Sequence, residues 1–401
     1  MANIIDYIKW RGDLTFEQDA FNEIDALILS QISYLNFDGL IPFNDFENDI
    51  TLSHLCFEFA TSENYVERSD TGLLINKDTI ELFYYAGNSL RFRDIKILGY
   101  VSVINNDKEE QFSAVTYNIA NKFYFVAYRG TDDTIVGWKE DFNLAIKDVV
   151  PAQIDAVNYL NNVANKTKGT LILGGHSKGG NLAIYAAAKV SNKINKRIER
   201  IYNYDGPGFS SDRINSLEFT AIIPKIKSYY PHFSIIGMMF YRAGTYSVVE
   251  SDETGIMQHD ALSWHLLGKN FALVDDFNSA SDFLSNTINS CINELSQNQI
   301  ELLIETVFEL IKATNAKTNS ELEDNLFKNS KKIISAVTKL DSETKKAVET
   351  IMKQILKIVK KRLPQYESYL VLTKKYLEAR KPKKWWLFQN YIFILINHQI
   401  F

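Results

Sequence analysis

Cysteine is nearly absent: the 401 residues hold only Cys56 and Cys291, far apart in the chain. That excludes a disulfide framework and points to a reducing compartment. Neither cysteine has zinc-site spacing, so both are expected as core thiols and no metal is expected. No run of ~18 or more uninterrupted apolar residues exists, which excludes a conventional transmembrane helix. The stretch Met1 to Asp13 carries acids early and has no long apolar core, so it does not read as a Sec signal peptide. The expectation is a cytoplasmic protein, with export independent of Sec left open. An excess of positive charge is also missing. Lys and Arg number 44 against 49 Asp and Glu, a net charge of −5, which argues against a nucleic-acid partner. No strong internal repeat is present.

What is present suffices for a large core, since 46% of residues are hydrophobic and 13% aromatic. Length alone allows two to three domains, or one elaborated α/β domain with a helical cap. Thr15-Phe-Glu-Gln18 fits a capping box, and the apolar spacing behind it predicts a helix to about residue 35. Residues 40–95 read as short helices and loops. From 97 the pattern changes: 97–104, 112–119 and 123–129 are rich in Val, Tyr, Phe and Ile, separated by polar turns, and predict an antiparallel meander. Helix is expected from Trp138 to about Asn165 with a break near Pro151. Strands are expected at 171–173, 201–205, 234–240 and 245–249. From about 279 the chain reads as helices at 284–296, 298–315, 319–339 and 342–363. This order is α/β with a mixed sheet. It divides the chain into an N-terminal helical segment (1–95), a core (96–278), a helical region (279–380) and a basic-aromatic tail (381–401).

The most informative segment is Leu171-Ile-Leu-Gly-Gly-His-Ser-Lys-Gly-Gly-Asn-Leu-Ala183. It places Gly175-His176-Ser177-Lys178-Gly179 between an apolar strand and an Ala-rich helix, the context of a nucleophile elbow. Glycines at 175 and 179 remove bulk where backbones crowd, and the first helix amides face a developing oxyanion. A serine nucleophile needs a base and an orienting acid, which in elbow enzymes follow it in the order acid, then His. Of His232, His259, His265 and His398, His259 lies in a loop after the last expected strand and is favoured, with His265 next. Asp205, at a strand end before Gly206-Pro-Gly208, is the favoured acid, with Asp260 and Asp252 as competitors. The oxyanion donors are expected at the Lys178 amide and at Thr131, which follows the strand ending at Tyr128. Gly175, Gly179, His176 and Asp141 are expected to support them. Such chemistry calls for no cofactor.

Tyr128-Arg-Gly-Thr131, Gly137-Trp-Lys-Glu-Asp141 and Gly175-His-Ser-Lys-Gly179 resemble the class 3 lipase family of α/β hydrolases. Asn3 to Leu14, Phe21 to Leu29, Tyr204-Asp-Gly-Pro-Gly-Phe209, Ser234-Ile-Ile-Gly-Met238 and Gln258-His-Asp260 more closely resemble the Mbeg-like bacterial family within that superfamily. The resemblance implies an α/β-hydrolase fold with a mixed central sheet, an N-terminal helical segment and a C-terminal helical cap. It also implies a serine esterase acting on lipid esters. One departure stands out: class 3 lipases carry their acid at the place that Ser234 holds here. Two other readings stay open, a non-catalytic binding module of the same fold and an exported phospholipase. In the tail, Lys381-Pro-Lys-Lys384 beside Trp385 to Ile396 suits contact with an anionic membrane surface, or packing as a terminal strand or helix.

Overall fold

The computed structural model describes residues 1–72, 75–144, 146–324 and 326–362; the expected tail at 381–401 and His398 lie outside them. The described residues divide into two units, one of Met1–Ser281 with Asn315–Leu326 and a second of Asp282–Thr314 with those from Phe327 to Arg362.

The first unit is built on a nine-stranded mixed sheet. In chain order its strands are β1 (Ile50–Thr51), β2 (Lys96–Asn105), β3 (Glu110–Ala120), β4 (Phe123–Tyr128), β5 (Thr170–His176), β6 (Ile198–Tyr204), β7 (Ile226–Pro231) and β8 (Thr245–Val249). A hairpin of β9 (Leu266–Leu267) and β10 (Asn270–Phe271) follows, and β11 (Leu273–Val274) returns to pair with β8. β1 to β4 pair antiparallel and β4 to β8 pair parallel, each strand beside the next in sequence. The C-terminal ends of β4 to β8 therefore share one edge, where catalytic and ligand groups gather in open α/β sheets.

Side-chain alternation splits the core between the two faces of the sheet. Phe125, Ala127, Ile172, Tyr202 and Tyr204 face the N-terminal helices, including Ile24, Leu27 and Ile28. Val126, Tyr128, Leu171, Leu173 and Ile201 face the helices Pro151–Lys166 and Lys178–Lys189. The N-terminal helices are thus packed into the first unit's core. Arg91 locks them further: it grips Asp25 at 2.6 and 2.7 Å with both side chains wholly buried, and Tyr7 adds a third bond to the same carboxylate. This strand order, with a strand–elbow–helix at β5, is that of an α/β hydrolase.

Two expected elements fall elsewhere. The N-terminal helices are Ile4–Arg11 and Glu23–Ile32, capped by Asn3 with Asp6 and by Asn22 with Asp25. Thr15 and Gln18 do exchange capping bonds, but around a single turn that does not propagate. The apolar run 234–240 is a loop, because Gly237, Met238 and Met239 amides turn back onto Ser234, Ile235 and Ile236. Its strand is β7, which the sequence pattern missed, and His232 therefore follows a strand.

The helices Gln297–Lys312 and Ser342–Arg362 pack together in the second unit. No helix among the described residues is long and apolar enough to cross a membrane.

Candidate active site

Ser177 stands between β5 and the helix Lys178–Lys189 with φ 57° and ψ −134°. A non-glycine residue at positive φ costs about 1–3 kcal/mol and persists only where its surroundings impose it. Here they do. The Ser177 amide donates to the Tyr204 carbonyl at 2.8 Å, tying the turn to the end of β6. A Cβ on Gly175 would lie 2.4 Å from the Tyr128 carbonyl oxygen, and one on Gly179 would lie 2.0 Å from it. The two glycines let β4 and the elbow touch.

Asp205 follows β6 and is also at positive φ, 51°. Its side chain is buried, and its two oxygens have separate partners. Oδ2 accepts from His259 Nδ1 at 2.6 Å, and Oδ1 accepts from Ser234 Oγ at 2.5 Å. Ser234 Oγ in turn accepts from the Gly237 amide at 3.1 Å. A Cβ on Gly237 would come within 2.3 Å of Asp205 Oδ1, so that turn needs glycine.

His259 ends a 3-10 turn, Gly255–His259, and its side chain is 27% exposed. Gln258 fixes the turn by accepting from the Phe233 amide, and its carbonyl takes the Trp264 indole N–H. His176 holds the other side of His259. A carbonyl only accepts, so His176 Nε2–H donates to the His259 carbonyl, at 2.7 Å, and Nδ1 accepts from Tyr34 Oη at 3.0 Å. Burial, helped by the neighbouring His259, holds the His176 imidazole well below its usual pKa, so it is neutral. Its ring centre lies 4.5 Å from that of His259. With Asp205 on Nδ1, His259 keeps Nε2 for a proton transfer. Ser177 Oγ and His259 Nε2 share no hydrogen bond among the described residues; such bonds often form only with substrate bound.

The loop after β4 completes the edge. A Cβ on Gly130 would lie 2.1 Å from Tyr34 Oη and 3.0 Å from Ser177 Cβ, so this loop rests on the elbow. Thr131 Oγ1 donates to Asp141 Oδ2 at 2.5 Å. Burial pushes the Asp141 carboxyl up to about 6, against the opposing pull of Lys178. The Lys178 side chain runs inward, where Nζ meets Glu140 at 2.8 Å and two Gln111 oxygens at 3.0 Å. Glu140 is also wholly buried and accepts from the Gln111 and Ala152 amides.

The sequence profile of the Mbeg1-like family matches residues 86–309. The chain belongs to the Mbeg1-like family. No curated protein matches it in sequence. Among solved structures, this Mbeg1-like chain is similar to a Rhizomucor miehei lipase–propeptide complex at 15% identity, over 49% of this chain and 66% of that one, with a TM-score of 0.30. It is similar to a triacylglycerol lipase described as having a serine protease triad, at 16% identity over 55% and 77%, TM-score 0.34. A lipase from Rhizopus microsporus var. chinensis is similar at 14% identity over 61% and 91%, TM-score 0.31. The chain spans just under two thirds of the length of the first of these.

In this Mbeg1-like chain the competing candidates are engaged elsewhere. His265 faces Asp252 at 2.7 Å and Glu250 at 3.4 Å. Asp260 caps a short 3-10 turn and takes Asn76 Nδ2 at 2.6 Å. Among the described residues no group of three His, Cys, Asp or Glu is placed to hold a metal. Sequence reasoning missed Tyr34, Gln111 and Glu140, as well as Ser234 as a donor to Asp205. Only Ser234 had a signal, the departure from the lipase pattern.

Proposed function

We propose that this Mbeg1-like protein is a serine hydrolase of carboxylic esters, with lipid esters as its substrate class. The supporting observation is the hydrogen bond between the buried Asp205 and the partly exposed His259, 2.6 Å long, at the strand edge that carries the strained Ser177. In this reading Ser177 Oγ attacks the ester carbonyl while His259 Nε2 takes its proton. Asp205 fixes the tautomer and stabilises the imidazolium. The Lys178 amide, with Thr131, receives the oxyanion, at about 3 kcal/mol per donor. His259 then protonates the leaving alcohol, and water, activated by the same ring, releases the acid. The resemblance of the Tyr128–Thr131 and Gly175–Gly179 segments to class 3 lipases extends the substrate to lipid.

A fluorophosphonate probe tests the reading. Wild type should label, and Ser177→Ala and His259→Ala should not; an ester series of rising chain length then maps the acyl site. The unformed Ser177–His259 bond favours one alternative, a binding module without turnover. Folded wild type that fails to label in the presence of lipid would overturn the hydrolase reading and move the weight to that alternative.

A further inference from the structure

Charge is distributed very unevenly along this chain. Residues 327–401 hold 17 Lys and Arg against 5 Asp and Glu, a net +12, whereas residues 1–326 hold 27 against 44, a net −17. Within the basic part, the helix Ser342–Arg362 separates charge from apolar surface. At about 100° per residue, Lys346, Lys353, Lys357, Lys360 and Lys361 fall within an arc of about 100°. All five are exposed. Val348, Ile351 and Ile358 fall on the opposite side and are buried. The apolar face is thus already covered, and the face left to solvent is cationic.

We propose that this lysine face docks the protein on an anionic lipid surface. The stripe from Lys346 to Lys360 is about 21 Å long and straight, which matches a flat array of headgroups. Glu349 pairs with Lys353 at 2.6 Å, and beyond it the helix carries no acid. Lys353, Lys357 and Lys360 also line one open depression with Leu356. A nucleic acid fits less well. The helix has no aromatic residue for base stacking and no arginine before Arg362 for bidentate phosphate contacts. Lysines act as point charges, and the attraction falls off within a Debye length, about 10 Å at 0.1 M salt. Binding is therefore electrostatic and reversible, without insertion. The choice of lipid rests on the ester-hydrolase reading of the Ser177 site.

Vesicle sedimentation of the full chain tests it, with phosphatidylcholine alone and with phosphatidylglycerol added. Wild type should bind only the anionic vesicles and release at high salt. Replacing Lys346, Lys353, Lys357 and Lys360 together by Gln, a good helix former, should weaken binding at least about 100-fold, from roughly fivefold per charge. The same four changed to Arg should bind as wild type does. Ser177→Ala should also bind normally, so a failed hydrolase reading leaves this result intact. No binding of wild type to anionic vesicles, undiminished binding of the Gln variant, or preference for duplex DNA over vesicles overturns the proposal.

Discussion

Ser234→Ala is the sharpest perturbation of the proposed triad, because it touches neither Ser177 nor His259. It removes the hydroxyl that donates to Asp205 Oδ1 and accepts from the Gly237 amide. Asp205 is buried, so water does not replace the donor at low cost. A hydrogen bond to a charged group contributes about 1.5–3 kcal/mol. At 1.36 kcal/mol per tenfold, its loss should slow fluorophosphonate labelling and kcat/KM on a short soluble ester about 10- to 100-fold. Stability should fall by a similar amount, so the rate alone does not separate positioning from softening. A double-mutant cycle does. If Ser234 acts through Asp205, Asp205→Asn alone should cost up to about four orders of magnitude. Adding Ser234→Ala to it should then cost almost nothing more in rate. Fully additive losses would show that Ser234 acts elsewhere. Asp205→Asn labelling at the wild-type rate would remove the acid from the mechanism altogether.

Three further substitutions test the support beneath the oxyanion site. Lys178→Met strands the buried Glu140 carboxylate and should lower unfolding free energy by about 3–5 kcal/mol; Glu140→Gln in the same chain should recover most of it, and chemical denaturation reads both. Asp141→Asn tests the raised carboxyl. Burial holds Asp141 at about 6, above 3.8, so the folded state prefers its protonated form. Its charge therefore costs stability above pH ~6, and that cost disappears as the pH falls through 6 toward 4. The Tm of Asp141→Asn should exceed that of wild type at pH ~7.5 and converge with it by about pH 4; a difference independent of pH would refute the assignment.

Features encoded by neighbouring residues were legible in the sequence. The elbow is a strand, a glycine-flanked serine and a helix in one continuous segment. The meander of β2 to β4 shows in its residue types and polar turns. Asp205 and His259, which the structure brings within 2.6 Å of each other, are candidates in the sequence because Asp205 ends an expected strand after the elbow and His259 lies in the loop after the last expected strand. Contacts between distant segments leave no such mark. Tyr34 and His176 are 142 residues apart, and no periodicity in either segment anticipates their bond. In the sequence Lys178 stands out only for its backbone amide, since nothing near it shows that its side chain meets Glu140. The run 234–240 was misread for the opposite reason. Its apolar residues imitate a strand, while the Ser234 hydroxyl and Gly237 amide make a turn whose purpose appears only with Asp205 in place.

That turn also accounts for the serine found where class 3 lipases keep an aspartate. β6 and β7 are neighbours in the parallel sheet, so the residues after them emerge side by side at the same edge. Asp205 leaves β6 at positive φ and Ser234 lies just beyond β7, yet their side-chain oxygens are 2.5 Å apart. A carboxylate on either strand would therefore occupy almost the same space below the histidine. Two carboxylates there would repel each other in a buried site, and one would have to take up a proton. One acid and one hydroxyl avoid this: the hydroxyl donates to Oδ1 and leaves Oδ2 for His259. In the proposed triad, the departure at Ser234 is then a relocation of the acid by one strand, with Asp205 as the histidine's partner.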